Sequence, residues 1–175
     1  MSIILGIDPG LHIIGYGILR QDQHKLVHVN SGSIRIKIGN LPTRLKSIYT
    51  NINKIIKEFR PNCLAIEQVF MAKYSGAVLK LGQARGAIIT AGTNLDLPIF
   101  EYAARQIKKT VVGNGAAKKN QIQNMVRILL TLSENPQEDA ADALAIAITH
   151  CYIRRNNLFQ KEAQNFWLRR RRIWY

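Results

Sequence analysis

The stretch Ile3-Ile4-Leu5-Gly6-Ile7-Asp8-Pro9-Gly10 constrains the fold of this chain more than any other. A short apolar run closes on a carboxylate, and a Pro-Gly pair turns the chain at once. Apolar runs of this length that stop at turn residues form buried strands. An acid at the end of such a strand lies at the carboxyl lip of a sheet, where ligands gather in open α/β folds. Asp8 can instead serve its own turn, as Asp often does. An ionised carboxylate beside a core is costly without a partner. A second acid arriving at the same lip therefore points away from a simple turn.

The chain downstream supplies one. Ile13-Ile14-Gly15-Tyr16-Gly17-Ile18-Leu19 is close enough to the first strand to form a hairpin with it. Gly15 and Gly17 leave one face bare, as strands do where something approaches closely. A third strand is predicted over 26–38, and its end, Ile34-Arg35-Ile36-Lys37-Ile38, alternates apolar with basic residues as a protected edge does. Leu45, Ile48, Ile52, Ile55, Ile56 and Phe59 recur at helical spacing behind Pro42, which predicts an amphipathic helix over 42–59. Cys63-Leu64-Ala65-Ile66-Glu67 is then a buried strand, again closing on an acid. A helical crossover makes the new strand parallel to an earlier one. Beside the first strand, it brings Asp8 and Glu67 out at the same lip.

Gln68-Val69-Phe70-Met71-Ala72-Lys73 reads as an exposed loop with an apolar tip, followed by a long helix over 75–94. Gly82 and Gly86 would let another backbone approach that helix, which suits either a sheet face or a subunit interface. Pro98-Ile99-Phe100 is a short fifth strand, with helices over 103–110 and 117–130 after it. In the last helix Asn135 suits the cap, Pro136 the first position and Glu138 a capping box. Residues 139–148 are then apolar almost throughout, so the helix is largely buried. Asp139 and Asp142, three apart, share one face. The helix dipole explains one acid there but not two, whereas Glu138 is accounted for by the cap.

The fold class is α/β: a five-stranded mixed sheet, an antiparallel three-strand meander plus two parallel strands, flanked by helices. Its 175 residues suffice for one domain with a real core. Lys and Arg total 25 against 11 Asp and Glu, a formal charge of +14, which suggests a polyanionic partner, nucleic acid first. Residues 1–153 form the domain and 154–175 a basic tail, with seven Lys or Arg (four of them Arg169 to Arg172) against Glu162. Phe166, Trp167, Trp174 and Tyr175 interleave with these charges. A frayed extension and a segment tracking phosphates are both open readings of it.

Four of the eleven acids thus sit at buried element ends that could converge. Two unit charges about 4 Å apart repel by about 4 kcal/mol at an effective dielectric near 20. Four such groups need a cation among them, and oxygen-only ligation selects Mg²⁺ or Mn²⁺. Cys63 and Cys151 lack metal or redox spacing and read as free buried thiols, in keeping with a reducing compartment. No 18-residue apolar span exists, so the expected location is cytoplasmic, with no membrane partner. A carboxylate cage for two hard ions about 3.5–4 Å apart cleaves phosphodiesters. With the basic charge, this predicts a nuclease.

The residues also resemble a known family, the RuvC-type Holliday junction resolvases. The matching segments include Ile4-Leu5-Gly6-Ile7-Asp8-Pro9-Gly10, Ala65-Ile66-Glu67-Gln68-Val69-Phe70-Met71-Ala72-Lys73, Leu79-Lys80-Leu81-Gly82-Gln83-Ala84-Arg85-Gly86, Phe100-Glu101-Tyr102-Ala103-Ala104-Arg105-Gln106 and Asp139-Ala140-Ala141-Asp142-Ala143-Leu144-Ala145. The resemblance implies an RNase H-like fold and a Mg²⁺-dependent crossover junction endodeoxyribonuclease, with Mn²⁺ able to substitute and two ions per site. It places catalytic metal ligands at Asp8, Glu67, Asp139 and Asp142. It implies a catalytic, DNA-facing Lys119, a DNA-facing Lys108 and a Phe70 that works against stacked bases. It further implies a homodimer through the helix near 76–92, nicking opposing strands of a four-way DNA junction in recombination and repair, alongside a branch-migration helicase. Tyr74-Ser75-Gly76 and the arginine-rich tail depart from the family pattern. Two other classes stay open on the residues. Asp8-Pro9-Gly10 before a glycine-bearing strand also resembles the first phosphate loop of sugar-kinase and actin-like ATPases, although the chain lacks room for their second large domain. A non-catalytic structure-specific DNA binder would not need four converging acids.

Overall fold

Three strands run antiparallel from the start of the chain: β1 (Ser2–Asp8), β2 (Ile13–Asp22) and β3 (Lys25–Arg35). The computed structural model describes residues 1–10, 12–23, 25–37, 39–69 and 76–171, with side chains as far as residue 155. Helix α1 (Leu41–Phe59) crosses over to β4 (Cys63–Glu67), which lies parallel to β1. Helix α2 (Gly76–Thr93) leads to β5 (Ile99–Tyr102), parallel to β4. The strand order β3-β2-β1-β4-β5 is the predicted meander plus two parallel strands. Helices α3 (Ala104–Val112), α4 (Lys119–Leu130) and α5 (Glu138–Arg171) complete the fold.

Short-range chemistry sets the register that matters for function. The Asn40 side chain accepts from Thr43 N–H at 3.1 Å to start α1. Arg60, left-handed at φ 46°, ends the helix by donating its N–H to the Ile56 carbonyl. Asn62 then clips the chain to β1: Ile3 N–H donates to its Oδ1, and its own N–H donates to the Ile3 carbonyl, both at 2.7 Å. From that clip Ile4 pairs with Cys63 and Ile7 with Ile66, so the strand ends, Asp8 and Glu67, emerge together.

Alternation divides each strand between two cores. Leu5, Ile7, Ile14, Ile18, Leu64 and Ile66 pack with α1 and α2 through residues such as Ile52, Ile56 and Ile88. Ile4, Leu19, Cys63 and Ala65 face α3, α4 and α5, against Ile107, Val126, Leu144 and Ile148. Each fully buried Ile or Leu contributes about 1.5–3 kcal/mol. A one-residue slip would turn every one of them to the wrong face. The same parity turns Asp8 and Glu67 toward α5, because they follow Gly6 and Ala65 by two.

Several element ends differ by a few residues from sequence expectation, and two of them have a clear physical reason. β3 stops at Arg35, though the alternation continues through buried Ile36, whose N–H donates to the His12 carbonyl at 2.9 Å. Ile38 lies outside the described residues. α5 begins at Glu138, not behind Asn135, so the predicted capping box is not formed. The preceding loop is bound to α4 instead. Asn135 donates to Asn124 Oδ1 at 2.9 Å, and Gln123 Nε2 donates to the Pro136 carbonyl at 3.1 Å. The Glu138 side chain turns to Lys119. The α5 backbone continues as helix from Ile153 through to Arg171. The side chains of Arg169 to Arg171, and all of Arg172, lie outside the described residues.

Candidate active site

The site begins with an absence of side chains on β1 and β2. A Cβ on Gly6 would overlap the Ala143 carbonyl, and one on Gly15 would overlap the Asp139 carbonyl. Only glycine lets the α5 backbone lie this close to the sheet. Gly15 pairs across the ladder with Asp8. The contact therefore seats the first turn of α5, with Asp139 and Asp142, over the end of β1. Glu67 arrives from β4 on the same face. Three elements bring four half-buried acids to one lip of the sheet.

Asp8, Glu67 and Asp142 are each raised by burial and by neighbouring acids. Asp8 is pushed up from 3.8 to about 8, first by burial, then by Glu67, Asp142 and Asp139, with Lys119 opposing. Burial and Asp142 also raise Glu67, against Lys108. Asp142 is raised by burial and by Glu138 and Asp139, against Lys119 and Lys108. These mutual effects require proximity, since charges separated by more than a Debye length in solvent are screened. Two cations stand at the rim: Lys108 on α3, half-buried, and Lys119, exposed at the first position of α4. Lys119 pairs with Glu138, and its ammonium also faces Asp142 and Asp8, all of which keep it protonated.

The donor set suits a hard divalent cation, being carboxylate oxygen throughout with no His or Cys among it. Among the described residues no three of these groups close around one point as a finished cage. Phe70 lies outside the described residues. Its loop leaves directly from Glu67, anchored where Gln68 N–H donates to the Tyr102 carbonyl at 2.9 Å.

A cavity of about 510 Å³ lies at the other end of the parallel strands and contains none of the acids. At its wall His150 is 2% exposed, with Nδ1 2.8 Å from the Tyr102 hydroxyl and Nε2 3.4 Å from Cys63 Sγ. Sequence reading missed this cluster, because a lone His in an apolar helix carries no local signal. It also missed the Glu138–Lys119 pair.

Comparison with known proteins agrees with this architecture. Residues 4–150 match the family described as crossover junction endodeoxyribonuclease RuvC. The protein of that name from Sodalis glossinidius (strain morsitans) is 63% identical over 158 residues, covering 90% of this chain and 91% of the relative. That from Enterobacter sp. (strain 638) is 59% identical over 164 residues, covering 94% and 95%. T. thermophilus RuvC, solved in complex with a Holliday junction substrate, superposes with a TM-score of 0.83 at 29% identity, over 90% of this chain and 97% of that one. The fold is RNase H-like, as in T. thermophilus RuvC. With four acids at the lip of such a sheet, and a family match over most of its length, the chain belongs to the RuvC family of crossover junction endodeoxyribonucleases.

Proposed function

We propose that this chain is a structure-specific endonuclease that resolves four-way DNA junctions by hydrolysing one phosphodiester in each of two opposing strands. The carrying observation is the convergence of Asp8, Glu67, Asp139 and Asp142, with Asp8 held near 8 by burial and its neighbours. Four carboxylates at one lip serve hydrolysis when they hold divalent cations, and their all-oxygen chemistry suits two Mg²⁺, replaceable by Mn²⁺. Bound there, the ions would supply an activated water and stabilise the leaving oxygen.

The remaining residues bind and orient the DNA. Lys119, at the rim over Asp8 and Asp142, meets the charge that develops on the scissile phosphate, and Lys108 holds the neighbouring backbone. The net charge of +14 attracts the junction, with the tail beyond 153 adding phosphate contacts. Phe70, three residues beyond Glu67 in the sequence, stacks on bases where the strands part. The outer side of α2 supports a homodimer: Leu79 is 65% exposed, and open space surrounds Gly82 and Gly86. Two copies joined there would carry two rims to opposing strands. The chain would act in the cytoplasm, in recombination and repair, beside a branch-migration helicase. Among the described residues no helix is long and apolar enough to cross a membrane.

The test is a labelled four-way junction incubated with the protein in Mg²⁺ or in EDTA, beside a linear duplex of the same sequence. Paired nicks in the junction only, and only with Mg²⁺, are expected. Junction binding without cleavage under any divalent ion would leave a binding module.

A further inference from the structure

The ion pair between Glu138 and Lys119 has no role in the four-acid site itself. Lys119 opens α4, Glu138 opens α5 next to Asp139, and both side chains are more than half exposed. An exposed pair contributes only about 0–1 kcal/mol to stability, so holding the fold is not its main effect. What it decides is where an ammonium on a flexible four-carbon stem stands. The same ammonium faces Asp142 and Asp8. Without Glu138, those inner carboxylates would be its nearest counter-charges. A lysine drawn onto them would sit where a divalent cation has to bind.

We propose that Glu138 is a positioning residue, which draws Lys119 outward so that the inner carboxylates stay open to a divalent cation while the lysine remains at the rim to meet phosphate. The proposal rests on reading the four acids as metal ligands. It must be separated from a simpler effect. Glu138 also bears directly on Asp142 through its charge, so removing it lowers the negative potential of the site even if Lys119 never moves.

A double-mutant cycle read by metal binding in the absence of DNA separates the two. Wild type, Glu138→Gln, Lys119→Met and the double variant are titrated with Mg²⁺, and the rise in melting temperature is followed. In the wild-type background Glu138→Gln should raise the Mg²⁺ midpoint about three- to tenfold. In the Lys119→Met background the same change should shift it less than about twofold, because no lysine remains to fall inward. Equal shifts in both backgrounds would assign the effect to charge alone and overturn the proposal. So would no shift in either. A wild-type protein that Mg²⁺ does not stabilise would remove the metal reading, and this proposal with it.

Discussion

Asp8→Asn keeps the size of the side chain and removes its charge, and its effect on the metal-free protein can be worked out. The folded chain holds a proton on Asp8 up to about pH 8, while the unfolded chain loses it near 3.8. A carboxyl raised in this way supports the fold at low pH, and the support is lost as pH rises toward 8. Each unit within that window costs up to about 1.4 kcal/mol. Glu67 and Asp142 are shifted in the same direction. His150, lowered from 6.5 to about 4, acts oppositely below pH 6.5. Above pH 6.5 His150 no longer contributes. Between pH 6.5 and 8.5 the Asp8 share should be about 2 kcal/mol, or about 4–8 °C in melting temperature for a chain of this size, with Glu67 and Asp142 adding in the same direction wherever they still titrate. Thermal unfolding in EDTA across that range is the assay. Wild type should lose stability as pH rises, and Asp8→Asn should be flatter and more stable at pH 8.5. Adding Mg²⁺ should stabilise wild type by linkage and leave the variant nearly unmoved. A flat wild-type profile in EDTA, or an Asp8→Asn protein less stable than wild type at pH 8.5, would refute the convergence of charge at this lip.

Gly15→Ala places a methyl on the Asp139 carbonyl, so the start of α5 must shift. Cleavage should fall by up to about 10²-fold with a stability loss of about 1–3 kcal/mol, read by junction cleavage and urea unfolding, and near-normal cleavage would contradict the close seating. Below pH 6.5 the unfolded chain takes up a proton that buried His150 refuses down to about 4, so this one group should remove about 3 kcal/mol of stability by pH 4. His150→Phe should abolish that acid limb in pH-dependent unfolding, while leaving the Tyr102 hydroxyl unpaired at neutral pH at a cost of about 1–3 kcal/mol. Phe70→Ala should reduce junction cleavage while melting temperature holds; a sharp fall in melting temperature with cleavage per folded molecule unchanged would make Phe70 a core residue.

The acids were legible because each one breaks a local pattern. Asp8 and Glu67 end apolar strands, and Asp139 and Asp142 share a face of an apolar helix. The bare face left by Gly15 and Gly17 announced that something would lie on β2, though not that it would be the backbone of α5. The rest depended on partners distant in sequence. Asn135 and Glu138 carry a sound capping signal, but Asn124 and Lys119 on α4 compete for the same side chains, and those tertiary contacts prevail. The contacts of His150 come from Tyr102 and Cys63, 48 and 87 residues away. No periodicity within α5 could have named them.

The central claim, that four carboxylates act together on DNA, is tested most directly by removing one charge at a time. Asp8→Asn, Glu67→Gln, Asp139→Asn and Asp142→Asn would each be measured for binding and for Mg²⁺-dependent cleavage of one labelled four-way junction. Every variant should bind at least as well as wild type, since less negative charge faces the phosphates, and every one should lose cleavage heavily. A variant that binds and cleaves like wild type would show that its carboxylate stands outside the reaction.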